Sequence, residues 1–241
     1  MKKRLLGLFV TATLLFFAYL PTSYAADIVM GGWDTDGDGA IETVYNSGSN
    51  ITIKESDGSS RTYPLASNWF IMGAADTDGA PGTDLIFNVS GTVKIIHDAS
   101  QTTSSYPMNT NWWLLKGGIA DTDGVAGAEL VFNVNGNLRF LHDKTGTMKD
   151  YDVGANWILI SGGISDLDGV PGAEIALNMG VAGGIKIFHE ITGTWDSYDM
   201  PANWTLAGIY NHDNVAGNEI IYSTYLGTFA INDRLKTNYG I

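Results

Sequence analysis

The sequence predicts an all-β fold, a five-bladed β-propeller built of four-stranded antiparallel blades. Three observations carry that expectation. An acidic loop recurs five times at near-constant spacing, short β-rich runs fill each interval, and 30 of 241 residues are Gly against 6 Pro. The loops begin at Asp34, Asp76, Asp121, Asp166 and Asn211, in steps of 42, 45, 45 and 45 residues. Each closes eight residues later on an acid: Glu42, Asp84, Glu129, Glu174 and Glu219. Other columns keep the same register. Asn-Trp recurs at Asn68-Trp69, Asn111-Trp112, Asn156-Trp157 and Asn203-Trp204. Tyr63, Tyr106, Tyr151, Tyr198 and Tyr239 form a second column, and His97, His142 and His189 a third.

The first element is an address. Met1-Lys2-Lys3-Arg4 is basic, Leu5 to Leu20 is apolar, and Ser23-Tyr24-Ala25 offers small residues for cleavage. This is the layout of a secretory signal peptide over residues 1–25. It implies a secreted protein, extracellular or periplasmic, with no stable membrane span after cleavage. Its removal takes three cations and no acid, moving the formal charge from −13 to −16. So acidic a body is unsuited to nucleic acid, whose phosphates need clustered Lys and Arg. The absence of Cys excludes disulfides, thiolate metal sites and a catalytic thiol.

Residues 26–241 then divide into blades at about 27–67, 68–110, 111–155, 156–202 and 203–241. In the second, Trp69-Phe70-Ile71-Met72 precedes the acidic loop and Leu85-Ile86-Phe87 follows it, both too short for helices. Ser90-Gly91 turns the chain, as does Asn135-Gly136 in the third blade. Val93-Lys94-Ile95, Leu138-Arg139-Phe140 and Ile185-Lys186-Ile187 alternate, which predicts a third strand with one face near water. The first two strands are expected innermost. Two extra residues around Lys116-Gly117-Gly118 and Ser161-Gly162-Gly163 predict bulges that preserve facing. Each blade is complete from its own segment, so the ring is expected to close by packing of the fifth blade on the first.

The loops are candidate Ca²⁺ sites. In the first, Asp34, Asp36 and Asp38 supply oxygens, Gly37 and Gly39 let the backbone coil, and Glu42 and the Ala40 carbonyl can complete the shell. An EF-hand is excluded, because position 12 is Tyr45 and the flanks are strands. Loops two to four keep Asp76, Asp78 and Asp84; Asp121, Asp123 and Glu129; and Asp166, Asp168 and Glu174, but place Ala or Val at position 5. Loop five has Asn211, Asp213 and Glu219. Affinity should fall from loop one, through two to four, to five. The alternative is that each Asp bonds its own backbone in a turn, with no metal.

At these residues the chain resembles the FG-GAP or VCBS repeat group, the integrin-α-type propeller blades. Their calcium loop is Asp-x-Asp-x-Asp-Gly-x-x-Asp between the first and second strands. Asp34 to Glu42 fits with Glu in last place, while the other loops depart at position 5. Five blades instead of the group's usual seven is a further departure. The resemblance implies structural calcium ions that stiffen blades.

Trp69, Trp112, Trp157 and Trp204 are candidate ligand-binding residues, as a stacking platform for sugars, or else wedges between blades. His97, His142 and His189 lie in separate blades, so a shared metal trio is not expected, and they read as turn or edge residues. Asp150, Asp152, Asp196 and Asp199 read as solvated. No nucleophile elbow, phosphate loop or zinc-helix motif occurs. The expected function is therefore a calcium-stabilised, non-catalytic binding or adhesion module for protein or glycan partners. The alternatives are a lectin with one site per blade and a polysaccharide hydrolase or lyase.

Overall fold

Residues 27–108, 111–154, 156–180 and 184–241 are described in the computed structural model of the chain. The expected leader lies outside them. The described residues form a five-bladed β-propeller: twenty strands in five sheets, each of four consecutive strands paired antiparallel in chain order. Blade one holds β1 (Ile28–Trp33), β2 (Glu42–Asn46), β3 (Asn50–Lys54) and β4 (Ser60–Pro64). Blade two holds β5 (Trp69–Ala75), β6 (Asp84–Val89), β7 (Thr92–His97) and β8 (Thr102–Pro107). Blade three holds β9 (Trp112–Ala120), β10 (Glu129–Val134), β11 (Asn137–His142) and β12 (Thr147–Tyr151). Blade four holds β13 (Ile158–Ser165), β14 (Glu174–Asn178), β15 (Ile185–His189) and β16 (Thr194–Tyr198). Blade five holds β17 (Thr205–Tyr210), β18 (Glu219–Thr224), β19 (Gly227–Asn232) and β20 (Thr237–Gly240).

Side chains alternate across a strand, and here both faces of a middle strand meet a neighbouring blade. Leu85 and Phe87 of β6 pack on Val44, Ile51 and Ile53 of blade one. Ile86, between them, packs on Leu130 and Phe132 of blade three. The same pattern joins blade three to four through Val131, Phe140, Ile175 and Phe188, and four to five through Ala176, Ile187, Ile220 and Ile231. A strand covered on both sides must be apolar through its middle, as Leu85–Ile86–Phe87 of β6, Leu130–Val131–Phe132 of β10 and Ile175–Ala176–Leu177 of β14 are.

Two expectations need correction. First, the third strands share the core with the second rather than turning one face to water, while the first strands keep the innermost place, β5, β9, β13 and β17 approaching one another in turn. β11 is buried from Leu138 to His142, and Arg139 within it is paired with Asp150 rather than with water. First strands are sheet edges, and Phe70, Trp113 and Ile158 on them are exposed. Second, among the described residues no core cluster, hydrogen bond or ion pair joins blade five to blade one. The bulges are where the spacing placed them: pairing slips between Ile119 and Leu114, and between Leu159 and Ile164.

The acidic loops dock on one another. The N–H of Thr83 donates to the Asp34 carbonyl at 2.7 Å, Ala128 to Asp76 at 2.7 Å, Ala173 to Asp121 at 2.8 Å and Asn218 to Asp166 at 2.8 Å. This approach requires Gly at position 4. A Cβ on Gly79 would stand 2.4 Å from the Ala126 carbonyl oxygen, where the residue also holds φ +76°. Gly79→Ala should therefore destabilise the fold by at least ~2 kcal/mol. Gly136→Ala shares the positive φ, at +90°, but meets nothing within 4 Å; it should cost only about 1 kcal/mol. Urea denaturation of the two variants checks the difference; equal losses would remove the steric explanation.

Candidate functional site

Each acidic loop folds by satisfying its own backbone. The Asp at position 1 accepts from the N–H of position 4: Gly37 to Asp34, Gly79 to Asp76 and Gly124 to Asp121, each 2.7 Å, and Gly169 to Asp166 at 2.6 Å. The Asp at position 3 accepts through Oδ1 from position 5, as Ala80 to Asp78, Val125 to Asp123, and Val170 to Asp168, each 2.8 Å. The buried acid at position 9 accepts from position 2. Thr35 N–H donates to Glu42 at 2.6 Å, Thr77 to Asp84 and Thr122 to Glu129 at 2.8 Å, Leu167 to Glu174 at 2.6 Å and His212 to Glu219 at 2.7 Å. Each carboxylate at positions 3 and 9 is thereby aimed, one oxygen to the backbone and one into the blade.

What those inward oxygens meet differs by blade. In blade one the Asp36 oxygen meets the Arg61 guanidinium, which reaches it at 3.3 Å, Glu55 at 2.5 Å and Asp98 of blade two at 2.8 Å. One oxygen each of Asp34, Asp36 and Glu42 also lie within 4.8 Å of one another. Glu42 is 0% exposed and its Oε1 has no hydrogen-bond partner. That orphaned acceptor in an all-oxygen group fits Ca²⁺, which would be held by these three residues. Asp38 turns away, its Oδ1 accepting from Ala40 N–H at 2.7 Å.

In blades two to four they meet an imidazole. The structure gathers Asp78, Asp84 and His97; Asp123, Glu129 and His142; and Asp168, Glu174 and His189. Asp76, Asp121 and Asp166 are not in these groups. The donor set is therefore one nitrogen and two oxygens, not the oxygen shell Ca²⁺ takes. In blade five the amide of Asn232 fills the place, donating to Asp213 at 3.2 Å and Glu219 at 3.0 Å. Asn211 is spent on the Val215 carbonyl at 2.5 Å. The histidines are thus in separate blades, as expected, but buried rather than at turns or edges. Asp196 is likewise no solvated bystander, since His189 and Lys236 reach it at 2.9 and 2.6 Å.

Sequence reasoning missed a second column of acids. Asp98, Asp143, Glu190 and Asp233 directly follow the His column, and all are buried. Each reaches back to the previous blade. Asp98 accepts from Tyr63 O–H at 2.5 Å and Thr35 O–H at 2.7 Å; Asp143 accepts from Tyr106 and Thr77 at 2.7 Å. Tyr198 donates to Asp233 at 2.5 Å. The recurring His-Asp, His-Asp, His-Glu and Asn-Asp dipeptides were the available signal.

These acids hold the imidazoles charged when no metal is bound. The Glu129 and Glu190 carboxylates on either side of its ring push His142 up to about 9; Asp233 and Glu174 push His189 up to about 10. Burial opposes protonation of His97, but Asp84, Asp143 and Asp78 still raise it. Burial raises Glu129 and Asp233, yet their imidazolium partners hold both below the usual carboxylate range.

The Trp column wedges between blades. The preceding Asn68, Asn111, Asn156 and Asn203 hold φ of +60° to +66°, a left-handed turn that Asn tolerates. Each Trp is then half-buried: Trp69 packs edge-on to Phe87 at 5.5 Å, Trp112 to Phe132 at 5.4 Å and Trp204 to Tyr222 at 6.2 Å. Trp69 N–H donates to Gly48 O at 3.0 Å and Trp157 to Gly136 O at 2.5 Å, each in the previous blade. The exposed column is the next residue: Phe70 is 58%, Trp113 54% and Ile158 71% exposed. They pair across the sheet with Asn88, Asn133 and Asn178. Open grooves of about 350 Å³ and 600 Å³ lie on either side of Trp113, which lines both.

No family model and no curated protein matches the chain. Solved structures do match. Virginiamycin B lyase from Staphylococcus aureus aligns over 83% of this chain and 66% of its own, at 15% identity and TM-score 0.43. Dipeptidyl peptidase 4 from Porphyromonas gingivalis aligns over 82% and 37%, at 14% identity and TM-score 0.50. BBS1N in complex with ARL6DN aligns over 88% and 68%, at 11% identity and TM-score 0.43. The chain spans less than two thirds of the first two proteins' lengths. The likeness is one of fold, the β-propeller. It corrects the expectation that the chain is not an enzyme: a lyase and a peptidase are among the matches, so the missing catalytic motifs do not exclude catalysis. Among the described residues no helix is long and apolar enough to cross a membrane.

A pH dependence follows for the metal-stripped chain. His142 and His189 are raised above the ordinary value near 6.5, so their stabilisation is complete below about 6.5 and lost as pH rises through 9 to 10. Glu129 and Asp233 are lowered, so theirs is present above about 4 and lost as pH falls further. Melting in chelator should show a plateau between these limits, and His142→Gln should shrink the alkaline fall. An alkaline fall unchanged in that variant would remove the assignment.

Proposed function

We propose that the chain is an exported binding module, a propeller of the integrin-α-type repeat group, stiffened by Ca²⁺ at its first loop. Its partners would be glycans or proteins, met by the ladder of Phe70, Trp113 and Ile158. The observation that carries this is the exposure of three large apolar side chains at one repeated position, while the Trp beside each is half-buried. Exposed apolar groups aligned at one repeat position mark an interaction face. Repetition adds avidity, because linked weak sites bind together. The amides opposite the ladder favour the glycan reading, since sugars take an apolar ring face together with amide hydrogen bonds. The Ca²⁺ ion would supply charge neutralisation at Asp34, Asp36 and Glu42 and a fixed loop geometry.

Two outcomes test this. Against a glycan and protein panel, Trp113→Ala should weaken binding at least tenfold, about 1.4 kcal/mol, with an unchanged melting temperature. Trp69→Ala should instead cost roughly 3 kcal/mol of stability. If Trp113→Ala binds like the wild type, the ladder is not the surface. For the ion, calorimetry should find Ca²⁺ uptake that Glu42→Gln abolishes, and chelation should lower the melting temperature. Identical uptake by Glu42→Gln would reduce the first loop to a turn.

A further inference from the structure

We infer that the three middle blades carry sites for a Zn²⁺-class transition ion, one each at Asp78–Asp84–His97, Asp123–Glu129–His142 and Asp168–Glu174–His189. The ligands are the imidazole Nδ1 and one oxygen from each carboxylate. Borderline divalent ions take imidazole with carboxylate, whereas Ca²⁺ takes oxygen alone.

Spacing is the first support. His142 Nδ1 stands 3.5 Å from Asp123 Oδ2 and 3.5 Å from Glu129 Oε1; His189 Nδ1 stands 3.6 Å from Asp168 Oδ2 and 3.7 Å from Glu174 Oε1. These are too long for good hydrogen bonds. They suit donors around a tetrahedral ion with bonds of ~2.1 Å, whose ligand atoms stand about 3.4 Å apart. His97 is tighter, at 2.9 Å from Asp84 Oδ1 and 3.5 Å from Asp78 Oδ2. His142 is only 4% exposed.

Orientation is the second. The far nitrogen, Nε2, faces a buried carboxylate of the next blade: Asp143 at 3.1 Å, Glu190 at 2.7 Å and Asp233 at 3.0 Å. A carboxylate behind a histidine fixes the proton on Nε2 and aims the Nδ1 lone pair at the ion. The two acidic ligands are fixed as well, each by a backbone N–H on its other oxygen.

Charge is the third. An imidazolium among three carboxylates leaves a site at −2, while a divalent ion on neutral imidazole leaves −1. Each position-3 Asp keeps partial exposure, which gives an ion an entry path and a water for its fourth position. The group at His189, Asp196 and Asp233 has similar spacing. There Lys236 Nζ, 2.6 Å from Asp196 and 3.2 Å from Asp233, already holds the cationic place.

Equilibrium dialysis of the full, chelator-stripped chain against Zn²⁺ alone should give three bound ions, undiminished by excess Ca²⁺. His142→Gln and His189→Gln should each lose one, and the triple variant with His97→Gln all three. Asp34→Asn should keep three, so failure of the calcium reading leaves this result standing. No Zn²⁺ uptake by the wild type, or uptake retained in the triple variant, overturns the inference. Should the variants not fold, anomalous scattering from Zn²⁺-loaded wild-type crystals decides. Ions against the three Nδ1 atoms support the sites; ions elsewhere, or none, overturn them.

Discussion

Every blade buries one carboxylate and half-buries a second beside it, their free oxygens pointing inward, and the fold must answer that charge. An isolated carboxylate taken out of water is too costly to keep ionised without a partner. The answers are Arg61 in blade one, His97, His142 and His189 in the middle, and the Asn232 amide in blade five. In the first four blades the answering group also touches an acid of the following blade. The same contact therefore settles a blade's own charge and binds it to its neighbour. Truncating one partner would expose the others to the full cost, so these clusters couple adjacent blades more tightly than their apolar contacts alone.

Steric fit adds to this charge clamp. A side chain at position 4 of loops one to four would be in hard contact with the next blade's loop, at Pro81 of blade two for the first, and the N–H at position 8 of that next loop closes the approach with a hydrogen bond. Position 4 is Gly at Gly37, Gly79, Gly124 and Gly169, whose faces are covered. In blade five it is Asn214, at φ +61°. No further loop docks there among the described residues, so a side chain has room. One short motif thus shapes the turn, aims the carboxylates and seats the next blade.

Blade number, strand order and the two bulges were legible because they depend on spacing alone. A repeat of 45 residues with turn residues at fixed offsets allows few arrangements. Burial was harder to read. Lys94, Arg139 and Lys186 made the third strands look half-solvated, but Arg139 is enclosed with Asp150 and Lys186 lies over the Trp195 ring. The roles within each loop were hidden too. Position 5 of loop one looks like a ligand in a linear sequence, but the Asp38 carboxylate is used on backbone two residues away. The histidine that completes a group comes from the end of the third strand, 13 residues after the loop's last acid in blades two and three and 15 in blade four. Only the pairing of β6 with β7, or of β10 with β11, brings the two together.

The junction between blades five and one shows how far this logic extends. Asp98, Asp143, Glu190 and Asp233 follow the His column in blades two to five, and the corresponding residue of blade one is Ser56, after Glu55. A blade docking on the far side of blade five would meet no acid there. An imidazolium in blade five would lack its second carboxylate, and a neutral amide is the group that needs none. Asn232 is that amide, with Arg234 supplying charge to Asp213 from 3.7 Å. The four clamped interfaces and the one without a clamp are thus matched by the side chains that bound them. The absence of hydrogen bonds across the fifth junction follows from the residues present at it, not from a distortion of the repeat.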